Sequence, residues 1–116
     1  MADVFVDTGE EFVVDQLDAF GNYFIGWGTG AGTTAKGDTT LFVEASETRV
    51  QSTDTQPSAS IMQWLAQITA DGTKTITNAG VFSLVTAGIL IVKGDHAGVA
   101  VDAGDKIEYT IQLAVG

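Results

Sequence analysis

The sequence has no cysteine, a single histidine and few basic residues. Without cysteine it can form neither disulfides nor thiolate metal sites, and one histidine is too few for an ordinary transition-metal centre. Five basic residues stand against 15 acidic ones, for a formal net charge of −10. Nucleic acid and anionic membranes are bound through Lys and Arg side chains. The charge therefore argues against both as direct partners and favours a basic or mixed-charge protein surface.

Long apolar segments are absent as well. The longest strictly apolar run covers residues 89–92, which is far shorter than a membrane span. The first residues lack the basic and apolar segments of a signal peptide, so we expect synthesis in the cytoplasm and no membrane insertion. One domain is expected for 116 residues, with an acidic arm and helix over residues 1–21 and a β-sandwich over residues 22–116.

The N-terminal segment has the pattern of a short amphipathic helix. Thr8 and Glu11 have the Thr-x-x-Glu spacing of a capping box. Apolar residues then recur at i, i+4 and i+7: Val13, Leu17 and Phe20. With Gly21 able to end the helix in a left-handed conformation, the pattern predicts a helix over residues 9–19.

This segment also carries an unusual charge. Six acidic residues and no basic one lie within the first 20 positions: Asp3, Asp7, Glu10, Glu11, Asp15 and Asp18. One interpretation is a solvated helix face with acids near the N-terminal dipole. The other is a docking arm for a basic partner. On the second interpretation the candidate contact residues are Asp3, Asp7, Glu10, Glu11 and Asp15.

A glycine-rich stretch follows the first predicted strand, which covers residues 23–27. The glycines stand at alternate positions: Gly26, Gly28, Gly30 and Gly32. They match neither phosphate-binding glycine pattern, so we predict a long loop over residues 28–40 and no nucleotide site. Long ordered loops often carry contacts. This gives four further candidate partner contacts: Gly28, Gly30, Lys36 and Asp38.

The strongest β signal lies further along the chain. Apolar residues alternate with polar ones at Met62, Trp64, Ala66 and Ile68, and a second β-branched run follows Asp71-Gly72. We predict an antiparallel hairpin with a loop over residues 71–73, which sets Ile68 opposite Ile76 and Met62 opposite Phe82. A strict two-residue turn would set Ile68 opposite a threonine, which the burial pattern disfavours.

Shorter strands complete the pattern. They are predicted over residues 41–44, 48–51, 89–92 (buried on both faces), 98–101 and 107–115, with turns at 93–95 and 102–105. Residues 52–60 hold the single proline and read as a loop or a frayed edge strand. Seven or eight short strands after one helix predict an all-β fold, an antiparallel two-sheet β-sandwich of jelly-roll type.

No catalytic set is visible. His96 lies in a predicted turn at the surface, without a Gly-x-Ser-x-Gly motif elsewhere. The neighbouring acids Asp95, Asp102 and Asp105 lack the spacing of a calcium loop. Both tryptophans fall on apolar strand faces, which favours core packing over sugar stacking. We therefore predict a protein that is not an enzyme and that binds no cofactor and no metal.

Five stretches carry a resemblance to a known family. They are residues 23–30 (YFIGWGTG), 36–42 (KGDTTLF), 47–50 (ETRV), 68–82 and 92–95 (VKGD). In order and spacing they resemble small virion proteins of tailed bacteriophages, a family labelled capsid decoration (cement) or tail-fibre proteins. The resemblance spans nearly the whole chain, although it consists of glycine-rich turns and strand ends.

The resemblance implies a structural role on the exterior of the virion. It implies a decoration protein that binds the major capsid protein of the assembled shell, forms a homotrimer at three-fold positions and cements neighbouring capsomers. Phe42 or Leu65 would then be candidates for a self-contact face, with core packing of either residue as the alternative. Residues 78–82 (NAGVF) also look like a strand of tail-fibre attachment domains. A tail-fibre or baseplate-associated module is therefore the alternative.

Overall fold

The computed structural model describes residues 2–116 and consists of one helix followed by eight strands. The elements are α1 (Asp7–Phe20), β1 (Phe24–Thr29), β2 (Val43–Glu44), β3 (Val50–Gln51), β4 (Thr53–Ser58), β5 (Ile61–Thr69), β6 (Lys74–Phe82), β7 (Leu90–Val101) and β8 (Lys106–Ala114). The predicted all-β sandwich with a short N-terminal helix is confirmed.

Two antiparallel sheets face each other. The larger has the order β2-β1-β6-β7, and β3 follows β2 along the same edge of β1. The smaller has the order β4-β5-β8. Alternate residues of each strand point between the sheets, where they form the apolar core. Trp27 and Trp64 are both fully buried there, as predicted.

The predicted hairpin is wrong, because β5 and β6 belong to different sheets. Ile68 pairs with Ile107, and Met62 with Leu113. The chain crosses between the sheets after β5, where Ala70 exchanges backbone hydrogen bonds with the turn that precedes β8. Two strands that each bury one face can meet across a core as well as side by side, so alternation alone does not choose between these arrangements.

The region predicted as two strands and a turn is one long strand, β7. Residues 93–95 lie inside it, and so does His96, which is exposed as predicted but not in a turn. The run at residues 89–92 is not fully buried, because β7 is an edge strand and Ile89 before it is 70% exposed. Gly98 lies in a β-bulge, and Gly94 pairs in regular register with Ala79, so neither glycine makes a turn.

The helix begins earlier than predicted, at Asp7. The preceding Val6 is its N-cap and makes no side-chain cap, so the predicted capping box is absent. Gly21 ends the helix with φ 69°, as predicted. The buried helical residue is Val14, not Val13, because the helix packs against β4 and β5 of the smaller sheet.

The outer face of the larger sheet is covered by the chain itself. The segment between β1 and β3 folds back over it, so a Cβ on Gly28 would overlap the carbonyl oxygen of Val43. A Cβ on Gly80 would lie 2.7 Å from Cδ1 of Leu90. Backbone also approaches Gly80, since its Cβ would lie 3.0 Å from the carbonyl oxygen of Val92, so glycine avoids a close backbone contact at both positions.

One buried carboxylate ties this cover to the core. Glu47 lies between β2 and β3, and only 5% of its side chain is exposed. Its carboxylate accepts hydrogen bonds from Trp27 Nε1 at 2.9 Å, from Lys74 Nζ at 2.6 Å and from the backbone N–H of Asp71 at 3.0 Å. Burial alone would raise the pKa of Glu47, but these hydrogen bonds outweigh it and the pKa is lowered.

We expect Glu47→Ala to lower the free energy of unfolding by about 2–3 kcal/mol, because Trp27 and Lys74 each lose a buried partner. Chemical denaturation at neutral pH measures the loss. Glu11→Ala is the control, since Glu11 is exposed. Equal effects of the two variants would contradict the role of Glu47.

The same carboxylate should contribute to acid sensitivity. A lowered pKa means that the unfolded chain binds more protons than the folded one below the ordinary pKa of 4.5. The stabilisation that Glu47 contributes should therefore be fully present above that pH and should decline as the pH falls through the folded-state pKa. Glu47→Gln should flatten the decline in the free energy of unfolding with falling pH. An unchanged slope would count against a contribution from Glu47.

Candidate interaction surface

The helix buries one side and exposes apolar side chains on another. Phe12 is 60% exposed and Phe20 50% exposed. The arm before the helix adds three consecutive exposed apolar residues: Val4, Phe5 and Val6. The predicted apolar positions Val13 and Phe20 thus lie at the surface, where they form part of a groove.

The groove runs between α1 and the larger sheet and has a volume of about 380 Å³. We call it the helix groove; its lining is Phe12, Val13, Gln16, Leu17, Phe20, Tyr23, Ser83 and Ile91. Its floor is fixed by Tyr23, whose hydroxyl donates to the carbonyl oxygen of Leu17 at 2.7 Å. Apolar clefts with few polar groups are the usual form of a binding site.

A loop rich in exposed apolar residues, residues 83–89, starts at the wall of the groove. The backbone N–H of Ser83 donates to the carbonyl oxygen of Ile89, and the Ser83 hydroxyl accepts from the N–H of Ile89. Leu84, Val85 and Ile89 project from the loop. The exposed apolar surface therefore extends beyond the groove itself.

Arg49 holds this loop in place. Its guanidinium donates to both carboxylate oxygens of Glu44 at 2.7 and 2.8 Å, and to the carbonyl oxygens of Leu84 and Ala87 at 3.0 and 2.7 Å. The guanidinium carbon also lies 3.5 Å from the centroid of the Phe82 ring, a cation–π contact. From the sequence, Arg49 was predicted only as part of a strand and of the ETRV stretch. The one available signal was a basic residue within a strand pattern in a chain short of bases.

The acidic candidates all lie on the arm and the helix beside the groove. Asp3, Asp7 and Glu11 are exposed, and Glu10 is half-buried with its carboxylate against Gly116. Asp15 is also exposed and accepts a hydrogen bond from Gln56 Nε2 at 3.0 Å, which joins the helix to β4. The arm and helix therefore carry both the acids and the apolar side chains of the groove, although no acid lines the groove itself.

Most of the basic side chains form ion pairs within the fold. Three of the five bases form ion pairs with four carboxylates: Arg49 with Glu44, Lys74 with Glu47 and Asp71, and Lys93 with Asp38. Among residues 2–116, Lys36 and Lys106 are the bases outside ion pairs, against the other eleven of the 15 acids. The charge outside ion pairs is consequently strongly negative.

The candidates in the glycine-rich loop lie elsewhere and have different surroundings. Gly28 is buried, whereas Gly30 and Lys36 are exposed. Asp38 accepts from Lys93 Nζ at 2.9 Å, and that hydrogen bond and ion pair lower the pKa of Asp38. Asp38 thus anchors the loop to β7. None of these residues lines the helix groove.

The two residues considered for self-contact are only partly exposed. The ring of Phe42 is covered by Lys93, whose Nζ lies 3.6 Å from the ring centroid. Leu65 is half-buried in the middle strand of the smaller sheet. Neither forms a prominent apolar surface comparable to the helix groove.

Other features carry less chemistry. His96 Nδ1 lies 2.8 Å from the Ala97 carbonyl oxygen, and Nε2 lies 3.0 Å from the Tyr109 hydroxyl. Burial raises the pKa of Tyr109 to about 12. Within residues 2–116, no three His, Asp or Glu side chains converge in a way that could hold a metal ion. In the same part of the chain, no helix is long and apolar enough to cross a membrane.

We expect Arg49→Met to release the 83–89 loop, because the loop carbonyls lose both donors and Glu44 loses its partner. The free energy of unfolding should fall by about 2–4 kcal/mol. Hydrogen exchange should accelerate at residues 84–89. Lys36→Met, at an exposed base outside ion pairs, is the matched control. Unchanged exchange in the loop would show that Arg49 does not hold it.

Comparison with known proteins does not identify a family for the chain. No protein-family model matches the chain. A search of curated proteins also finds no match.

Proposed function

We propose that this chain is a structural decoration protein that binds the outer surface of an assembled phage capsid through its N-terminal arm, helix and helix groove. The observation that carries the proposal is an exposed apolar groove on the most acidic element of the fold. The resemblance of the five stretches to small virion proteins supplies the class of partner, the major capsid protein of the shell.

The apolar area and the acidic charge of this surface have separate physical roles. Covering the exposed parts of Phe12, Phe20 and the Val4–Val6 arm removes apolar area from water and supplies affinity. The acids beside them favour a basic surface, steer association and disfavour acidic surfaces. A partner patch with apolar residues surrounded by Lys and Arg would match both properties.

Binding of this kind would stabilise the shell by linkage. A protein that binds the assembled shell and not the free subunits shifts the equilibrium toward assembly. Repeated at neighbouring positions as homotrimers, as the resemblance implies, it would add contacts between capsomers without any chemical step. The protein would then act outside the shell and require neither enzyme activity nor a cofactor.

The tail-fibre or baseplate alternative rests on residues 78–82. These residues lie buried in β6, where Asn78 accepts from the N–H of Phe42 and donates to the carbonyl oxygen of Thr29. Their resemblance to an attachment domain can therefore reflect shared strand packing. Binding to tail proteins instead of the shell remains a distinct outcome of the test below.

We expect the double variant Phe12→Ser, Phe20→Ser to bind purified shells at least tenfold more weakly than the parent, a change of about 1.4 kcal/mol. Its thermal stability should change little, because both side chains are at least half exposed. Co-sedimentation with shells measures binding, with tails and unassembled capsid protein as separate samples.

Val99→Ser is the matched control, since Val99 is an exposed apolar residue on β7, away from the groove. It should bind like the parent. Equal binding of the double variant and the parent would reject the groove as the docking site. Binding to tails and not to shells would replace the decoration role with the tail alternative.

A further inference from the structure

The two sheets have four free edges, and three are protected against pairing with another strand. The edge made by β2 and β3 consists of two strands of two residues each. On β4 the edge carries Pro57 and a register shift between Thr55 and Ser58. Short edge strands, proline and irregular pairing are the devices by which proteins block edge-to-edge association.

The β7 edge is blocked in another way. Residues 96–98 stand opposite the single residue Thr77, which makes a bulge. The glycine-rich loop also reaches this strand, where the N–H of Thr34 donates to the side chain of Asp95 at 2.9 Å. An incoming strand would therefore find an irregular and partly covered edge.

The fourth edge, β8, has none of these features. It pairs with β5 in unbroken register over nine residues, from Lys106↔Thr69 to Ala114↔Ile61. It contains no proline and no glycine. Within residues 2–116, its backbone groups make no hydrogen bonds outside the pairing with β5. The groups on the far side of β8 are thus free to pair.

The side of the sandwich next to this edge is also open. The inward residues of β8 are only half-buried: Ile107, Tyr109, Ile111 and Leu113. A slot of about 320 Å³ separates β8 from β7, and the hydrogen bond between His96 and Tyr109 crosses it. A strand added to β8 would cover apolar side chains that the chain itself leaves partly exposed.

We propose that β8 pairs antiparallel with β8 of a second copy of this chain, about a two-fold axis at Thr110. The strand runs from residue 106 to residue 114, so Thr110 is its centre and would face its own copy. Inward residues then pair apolar with apolar, Ile107 with Leu113 and Tyr109 with Ile111. On the outward face of β8, Glu108 faces Gln112 and Lys106 faces Ala114.

This register places no like charges opposite each other, as a stable antiparallel pair requires. It is also self-complementary, which is the condition for a two-fold contact between identical chains. A foreign strand would have to supply the same pattern by coincidence. The strand's own symmetry therefore favours a second copy as the occupant.

The two bases outside ion pairs lie where this contact would use them. Lys106 would face Ala114 of the second copy, close to Gly116 and the Glu10 carboxylate that rests on it. Lys36 and Leu113 line the same cavity, and Leu113 would face Ile107 next to Glu108 of the second copy. The formal net charge, −10 for each chain, opposes association, so added salt should strengthen the dimer.

The contact does not involve the helix groove and approaches the docking element at Glu10, so it can hold or fail separately from the proposed function. It predicts species with an even number of chains. In solution the expected species is a dimer, or a hexamer if a three-fold contact also forms. Analytical ultracentrifugation over a range of protein and salt concentrations measures this directly.

The test uses the residue on the axis. Thr110→Lys and Thr110→Glu each place two like charges face to face, so each variant alone should dimerise about fivefold more weakly or worse. An equal mixture of the two variants should recover the dimer, because Lys then faces Glu. Thr53→Lys, at an exposed threonine on the β4 edge, should leave the dimer unchanged.

Thermal unfolding of each variant checks that the fold is intact. A parent chain that stays monomeric at its highest soluble concentration, or forms only trimers, would overturn the proposal. So would Thr110 variants that dimerise as tightly as the parent, or a mixture that recovers nothing. Loss of dimer in Thr53→Lys would move the contact to another edge.

Discussion

The arrangement of the two sheets depends most on the hydrogen bonds to the buried carboxylate of Glu47. It receives Trp27 from the core, Lys74 from the start of β6 and the backbone of Asp71 from the crossing between the sheets. A carboxylate that accepts three hydrogen bonds offsets its own desolvation. The segment between β2 and β3 is thereby fixed at the place where the chain leaves one sheet and enters the other.

Internal use of the bases explains the character of the surface. Arg49, Lys74 and Lys93 bind the cover of the larger sheet, the crossing and the loops around it. Within residues 2–116, no acid of the arm or helix forms an ion pair, and the helix lines an apolar groove that the fold does not fill. A rigid, covered sheet on one side and an acidic, apolar element elsewhere suit a protein that binds a larger assembly.

Local patterns predicted what depends on local chemistry. The alternation in β8, the burial of both tryptophans and the left-handed Gly21 follow from neighbouring residues. Alternation could not distinguish two strands paired in one sheet from two strands that face each other across the core. For this reason β5 and β6 were predicted in the same sheet. The partner of Asp38 lies 55 residues away, and the carbonyls bound by Arg49 lie 35 and 38 residues away. Such pairs depend on the assembled fold, so sequence spacing offered no sign of them.

The copy number of this protein in purified virions, relative to the major capsid protein, tests the functional account most directly. Quantitative mass spectrometry of intact particles, and of particles stripped of the protein, gives the ratio and its effect on resistance to heat. A decoration role predicts a ratio near one to one and particles that become fragile when stripped. A handful of copies per particle would contradict it and indicate a tail component, and absence from the particle would contradict both roles.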